Sequence, residues 1–207
     1  MNYFAIIGDI NRSRALEDRA AVQRKLQATI AQMNKTIEPG PATPLKLTAG
    51  DEVQGLSEDP GYSLKVIVAL SDAVSPEQFS WGLGCGPLST DISDDVALVD
   101  GPCFHRAREA LERSRKKRTW FQAEGFDPYF AAILTALMNL MGSIREDWTA
   151  KQTAYVLQAR YLSQIEVARA TGKSPSTVSR ALRATKFERI VEAERAVRLL
   201  LENLHDV

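Results

Sequence analysis

Residues 163–182, SQIEVARATGKSPSTVSRAL, constrain this chain more than any other stretch. Gly172 stands where a left-handed residue ends one helix and turns the chain. Ser174 or Ser176 caps a following helix, with Pro175 near its first position. Val167 and Ala168 face inward from the first helix, and Val178, Ala181 and Leu182 form a buried stripe on the second. Together these positions predict a helix-turn-helix. Ser176, Thr177, Ser179, Arg180 and Arg183 are left outside, beside Lys173 and Ser174, where their side chains suit the phosphates and base edges of double-stranded DNA. The competing readings are an ordinary helical hairpin and a helix-turn-helix that only binds protein.

Composition narrows the setting. A chain of 207 residues, 44% hydrophobic and 25% charged, can bury a core in one large domain or two small ones. It has no run of about 18 apolar residues and so no membrane span. The start, MNYFAIIGDI, lacks the basic end of a secretory signal. Cys85 and Cys103 match no metal spacing and read as buried free thiols of a reducing cytoplasm. With only His105 and His205, a histidine-rich metal site is excluded. Charge is distributed unevenly: residues 1–100 carry 8 Lys+Arg against 14 Asp+Glu, residues 101–144 carry 7 against 4, and residues 145–207 carry 11 against 8. An acidic front and a basic rear suggest two modules with different partners.

Hydrophobic periodicity places the elements. Tyr3–Ile10 reads as a central strand and Leu16–Met33 as an amphipathic helix. Leu45–Ala49 and Val53–Leu56 read as a hairpin, Leu64–Val74 as a helix and Phe79–Leu88 as a strand. In that strand Gly82, Gly84 and Gly86 share one face, which admits either a ligand or a packed helix. A polar loop, Asp91–Val99, follows and could close in a short strand. Gly101–Arg115 starts a helix, Thr119–Ala123 fits a last strand, and Arg113–Arg118 is a basic run that either extends a DNA footprint or, as the favoured reading, is a solvated helix end. Tyr129–Met141 is an apolar helix suited to packing between modules or to a dimer contact. Ala150–Tyr161 precedes the helix-turn-helix, and Lys186–Leu204 is a long final helix.

Two Gly-Asp pairs, Gly8-Asp9 and Gly50-Asp51, close apolar strand runs. If those strands are neighbours, both aspartates sit at one end of the sheet. Neighbouring carboxylates repel unless something positive joins them, and magnesium with its preference for oxygen ligands would do so. Glu52 and the backbone of Ile10 would assist, and Arg12, Ser13 and Arg14 follow in a loop able to approach phosphates. The plainer reading makes Asp9 and Asp51 turn residues, with Arg12 and Arg14 as their salt-bridge partners.

FAIIGDI, LTAGDEVQGL, and WGLGCGPLS followed by GPCFHRARE resemble motifs of the palm-like catalytic domain of class III nucleotidyl cyclases. The resemblance covers roughly residues 2–112 and implies that Asp9 and Asp51 hold metal ions on a nucleotide triphosphate. The departures are specific. The family's base-selecting lysine position is Leu47, with Lys46 one residue off and on the opposite face. The positions of its asparagine and arginine are His105 and Glu109. The loss of that arginine favours a metal-nucleotide pocket over cyclisation, with His105 either a ligand contact or, as a lone helix histidine more often is, structural. Over nearly its full length the chain also resembles the SatD family of bacterial proteins, through YFAIIGDI–N–R–SR, LTAGDEVQGL and DWTAKQTAYV…QIEVARATGKSPSTVSRAL.

The expectation is therefore an α+β fold: a palm-like (ferredoxin-like) antiparallel sheet with helices over residues 1–125, a connecting helix over 126–145, and an all-α helix-turn-helix domain over 146–207. The expected function is that of a cytoplasmic, homodimeric DNA-binding regulator whose front module binds magnesium with a nucleotide or another phosphorylated small molecule. A divergent cyclase or phosphotransferase, and a chain whose modules bind only proteins, are the alternatives.

Overall fold

In the computed structural model, residues 1–11, 16–37, 40–48, 51–75 and 79–206 are described. The expected contacts of Arg12, Ser13 and Arg14, and Gly50 of the second Gly-Asp pair, lie outside the described residues. The elements run β1 (Tyr3–Ile10), α1 (Arg19–Thr36), β2 (Thr43–Thr48), β3 (Glu52–Ser57), α2 (Pro60–Val74), β4 (Phe79–Gly86), a 3-10 turn (Val96–Leu98), α3 (Pro102–Lys117), β5 (Phe121–Glu124), α4 (Pro128–Glu146), α5 (Ala150–Ala159), α6 (Gln164–Thr171), α7 (Pro175–Ala184) and α8 (Phe187–Glu202). The 3-10 turn stands where a short strand was the alternative.

The class is α+β, with a five-stranded sheet in the order β2-β3-β1-β4-β5. The uninterrupted apolar run of β1 fits its central place. β1 is antiparallel to β3 and β4, whereas β5 runs parallel to β4. The sheet is therefore mixed, which corrects the antiparallel expectation. A parallel neighbour needs a crossover of a dozen or more residues, and α3 supplies it.

Each sheet face has its own cover. Phe4, Ile6, Ile10 and Val53 join Leu26, Ile30 and Met33 of α1 and Leu64, Ile67 and Leu70 of α2. Ala5, Ile7 and Leu56 pack on the other face with Cys103, Phe104, Ala107 and Leu111 of α3. The glycine face of β4 belongs to that helix. A Cβ on Gly82 would strike the backbone of Ala107 and Leu111, and one on Gly84 would strike that of Cys103 and Ala107. Bare glycines thus let α3 lie directly on the strand, and the packed-helix reading is the one realised. Burial there pushes the Cys103 thiol up to about 11 and raises that of Cys85 as well.

Both edge strands are met by asparagine side chains. Asn34 of α1 donates to the Leu45 carbonyl and accepts from its N–H, both at 2.9 Å. Asn139 of α4 does the same for Phe121, at 3.1 and 2.9 Å. Each amide acts as a one-residue strand, occupying backbone groups that an edge otherwise offers to another chain.

The helical C-terminal part is not packed separately. One apolar cluster runs from β1 through Met138, Met141 and Trp148 to Tyr155, Val167, Val178, Leu182, Ile190, Val197 and Leu201. A buried ionic network crosses the same junction. Asp72 of α2 pairs with Arg145 of α4 and, at 2.6 Å, with Nε of Arg160 just after α5. Arg160 also grips Glu194 of α8 through two 2.8 Å bonds. Burial opposes the Arg160 charge, but Glu194 and Asp72 more than offset it and raise its pKa. Arg145 lies between the rings of Trp120 and Trp148, 5.4 and 5.1 Å from their centroids. Among the described residues no helix is long and apolar enough to cross a membrane.

Candidate functional site

The register of the central strands assembles the acidic centre. Asp9 of β1 sits directly opposite Glu52 of β3, with Asp51 one residue further at the turn. The expected neighbourhood of strands is present. Asp9 and Glu52 fall on the α3 face, because alternate residues Ala5 and Ile7 of β1 and Leu56 of β3 do so. Ile10 points the other way into the core, only 2% exposed.

Each carboxylate has an arginine. Arg108 and Arg115, two helical turns apart on one face of α3, pair with Glu52 and Asp9 respectively. Arg19, at the start of α1, reaches Asp51 at 3.3 Å. Burial raises the Asp9 carboxyl above its ordinary range, Arg115 opposes that, and the charges of Asp51 and Glu52 add to the rise. Burial would raise Glu52 too, but bonds from Arg108 and Gln54 outweigh it and leave the group below its ordinary range. The three acids therefore share one electrostatic neighbourhood, neutralised by guanidinium groups. Among the described residues no group of three or more His, Cys, Asp or Glu side chains is arranged to hold a metal ion. In this arrangement the carboxylates suit arginines better than a resident magnesium ion.

Beside this centre lies an open cleft of about 440 Å³ whose lining includes Thr48, Glu52, Gln54, His105 and Arg108. His105 is 69% exposed and 3.4 Å from Asp100, so it lines the cleft without touching the acids. Lys46 pairs in register with Gln54 and so shares the cleft face, but its amine is held by Asp95 at 2.8 Å. Leu47 packs against the opposite core. The basic run at the end of α3 is not merely solvated: Arg113 pairs with Glu124 and Arg115 with Asp9.

The second candidate region is the α6–α7 pair. Ser163 caps α6 in a reciprocal capping box, with Glu166 accepting from its N–H at 2.7 Å. Gly172 ends that helix at φ +64°, in the left-handed region. Of the two candidate caps for α7, Ser174 takes the role and accepts from the Thr177 N–H at 3.2 Å. Val178 and Leu182 are buried and Ala181 half-buried, as the stripe requires. Lys173, Ser174, Ser176, Arg180 and Arg183 are exposed, while Thr177 and Ser179 are half-buried.

Residues 3–198 match the SatD family. The chain belongs to the SatD family. A search of curated proteins finds no match.

Sequence reasoning about this SatD-family chain named the carboxylates but missed their partners. Arg19, Arg108 and Arg115 stand 32, 56 and 106 positions from Asp51, Glu52 and Asp9. The one available signal was the i, i+7 spacing of Arg108 and Arg115 on α3. It also missed Arg169 and Lys186, exposed cations flanking the α6–α7 surface. They extend a stretch, Val167–Phe187, with five cations (Arg169, Lys173, Arg180, Arg183, Lys186) and no acidic residue.

Proposed function

We propose that this SatD-family chain is a DNA-binding regulator in which α6 and α7 form a helix-turn-helix and α7 enters the major groove. The observation that carries the reading is the acid-free stretch Val167–Phe187, whose five cations are all solvent-exposed. The single acid of the two helices, Glu166, lies in the first turn of α6 and closes the capping box with Ser163, and a protein with only structural use for a helical hairpin has no reason to keep acids off the rest of both helices. A polyanion supplies one, because each cation set against a phosphate releases a counterion. In this reading Arg180 and Arg183 contact phosphates or guanine, Ser176, Thr177 and Ser179 touch phosphates or base edges, and Lys173 adds non-specific attraction. Selecting bound fragments from a random duplex pool is expected to enrich one sequence. A bound pool no more ordered than the input would overturn the regulator assignment.

The front module supports a second, compatible reading. The order β2-β3-β1-β4, with α1 and α2 on one face, supports reading the module as a palm-like, ferredoxin-like unit to which β5 has been added. Asp9, Asp51 and Glu52 meet where such a unit would present a nucleotide with magnesium. Phosphates in the neighbouring cleft would have to compete for Arg108, which lines it, and Glu52, thereby freed, would face the incoming cation. The unit would then sense a phosphorylated ligand or, as the alternative, act as a divergent cyclase or phosphotransferase. Titration with ATP or GTP and Mg²⁺ should show binding that Asp9→Asn and Asp51→Asn weaken, and product analysis separates sensor from enzyme. Unchanged affinity in both variants would remove the acidic centre from the function.

A further inference from the structure

The longest helix of the chain has a face that its own fold leaves uncovered. Residues 128–144 of α4, PYFAAILTALMNLMGSI, contain no charged side chain. Leu134, Met138, Met141 and Gly142 are buried. On the opposite side Tyr129 is 82% exposed, Ile133 51% and Leu140 62%. Ala132, Ala136 and Ser143 share their solvent exposure. Tyr129, Ile133, Ala136, Leu140 and Ser143 follow one another at intervals of 4, 3, 4 and 3, the spacing of a helix–helix seam.

We propose that this face is a two-fold interface between copies of the chain, in which α4 packs antiparallel on α4 with the axis beside Ala136. The pattern of side-chain sizes is self-complementary about that point. Ala136 meets Ala136 where the helices come closest. Ala132 then lies opposite the partner's Leu140 and Tyr129 opposite the partner's Ser143, so a large residue faces a small one at those two levels, while Ile133 falls between the partner's Asn139 and the partner's Leu140. An isologous contact requires this matching of a patch with itself. No charge within the seam is desolvated, and the antiparallel arrangement opposes the two helix dipoles. With roughly 200 Å² available from a tyrosine, the exposed fractions amount to about 500 Å² per protomer. A symmetric pair would then cover about 1,000 Å², which reaches the lower limit for a weak, reversible interface. The assignment stands independently of DNA binding, although a two-fold pair would present two copies of α7 to a two-fold site.

The test is sedimentation equilibrium with cysteine cross-linking. The wild-type chain is expected to show a monomer–dimer equilibrium that Ile133→Glu and Leu140→Glu each weaken by at least tenfold. Those side chains are exposed in the protomer, so circular dichroism should report unchanged folding. Oxidation should link Ala136→Cys to itself, and link Tyr129→Cys to Ser143→Cys in a mixture, while Tyr129→Cys alone stays unlinked. Because Cys85 and Cys103 are buried, the wild-type chain is the blank. A monomer at every concentration, a dimer indifferent to both glutamates, or self-linking of Tyr129→Cys as efficient as that of Ala136→Cys would overturn the proposal.

Discussion

Replacing Asp72 with asparagine removes the charge that ties the sheet to the C-terminal helices while preserving side-chain shape. Asp72 is 5% exposed and serves two guanidinium groups, those of Arg145 and Arg160. Arg160 retains both bonds to Glu194, so half of the network survives. Arg145 loses its carboxylate, and its Nη1 has no hydrogen-bond partner even in the native arrangement. The faces of Trp120 and Trp148 offset part of that loss, by about 1–2 kcal/mol in a desolvated setting. Removing one partner of a buried ion pair costs about 3–5 kcal/mol, so the surviving contacts place Asp72→Asn near 3 kcal/mol. For a chain of this size the midpoint of thermal unfolding should fall by roughly 6–12 °C. Urea unfolding followed by tryptophan fluorescence is a suitable assay, since two of the three tryptophans flank Arg145. Adding Arg145→Met to Asp72→Asn should recover part of the loss, because the stranded charge goes with it. A loss below about 1 kcal/mol, the range of exposed ion pairs, would refute the argument that this junction is a buried electrostatic joint.

Two further outcomes follow from the sheet. Gly84→Ala drives a Cβ into the α3 backbone at Cys103 and Ala107, where no side chain can yield, and should cost about 3 kcal/mol or more; a thermal midpoint within 2 °C of wild type would contradict the close approach of helix and strand. Asp9 and Glu52 should respond to pH with opposite signs. The raised Asp9 carboxyl contributes stability that is fully present below its ordinary value of 3.8 and is lost as pH rises through the higher folded value. The lowered Glu52 contributes stability present above 4.5 and lost as pH falls through its lower folded value. Near neutral pH Glu52→Gln should therefore lose stability on the order of 1 kcal/mol, while Asp9→Asn should lose none. Equal losses in urea unfolding from pH 4 to 7 would show that the shared acidic neighbourhood is wrongly drawn.

What the sequence disclosed follows from how local each signal is. β1 matched its predicted bounds because its apolar run is short and nearly continuous, with Gly8-Asp9 inside it just before Ile10, and the α6–α7 pair was visible because caps, turn and stripe all lie within 20 residues. The direction of β5 was not visible, since it depends on where α3 carries the chain. The glycine face of β4 announced a close approach without saying by what. The acidic centre was half legible: Gly-Asp pairs in the sequence mark Asp9 and Asp51, although Asp9 lies within β1 rather than at a turn, and their arginines arrive from α1 and α3 by tertiary packing. Lys46 and Leu47 lie on opposite faces as expected, but which of them meets the cleft is set by the register of β2 with β3. The ionic joint of Asp72, Arg145, Arg160 and Glu194 left no motif, since its members come from four separate segments.

The central claim is that the exposed cations of α6 and α7 meet the phosphates of DNA, and the most direct test is the salt dependence of binding. Affinity for a duplex, plotted as log K against log salt concentration, should fall linearly with a slope of about −0.9 for each phosphate neutralised. Arg183→Ala should make the slope shallower by about one and Arg180→Ala with Arg183→Ala by about two, with folding unaffected because both side chains are exposed. Binding that ignores salt, or slopes that both variants leave unchanged, would contradict the account.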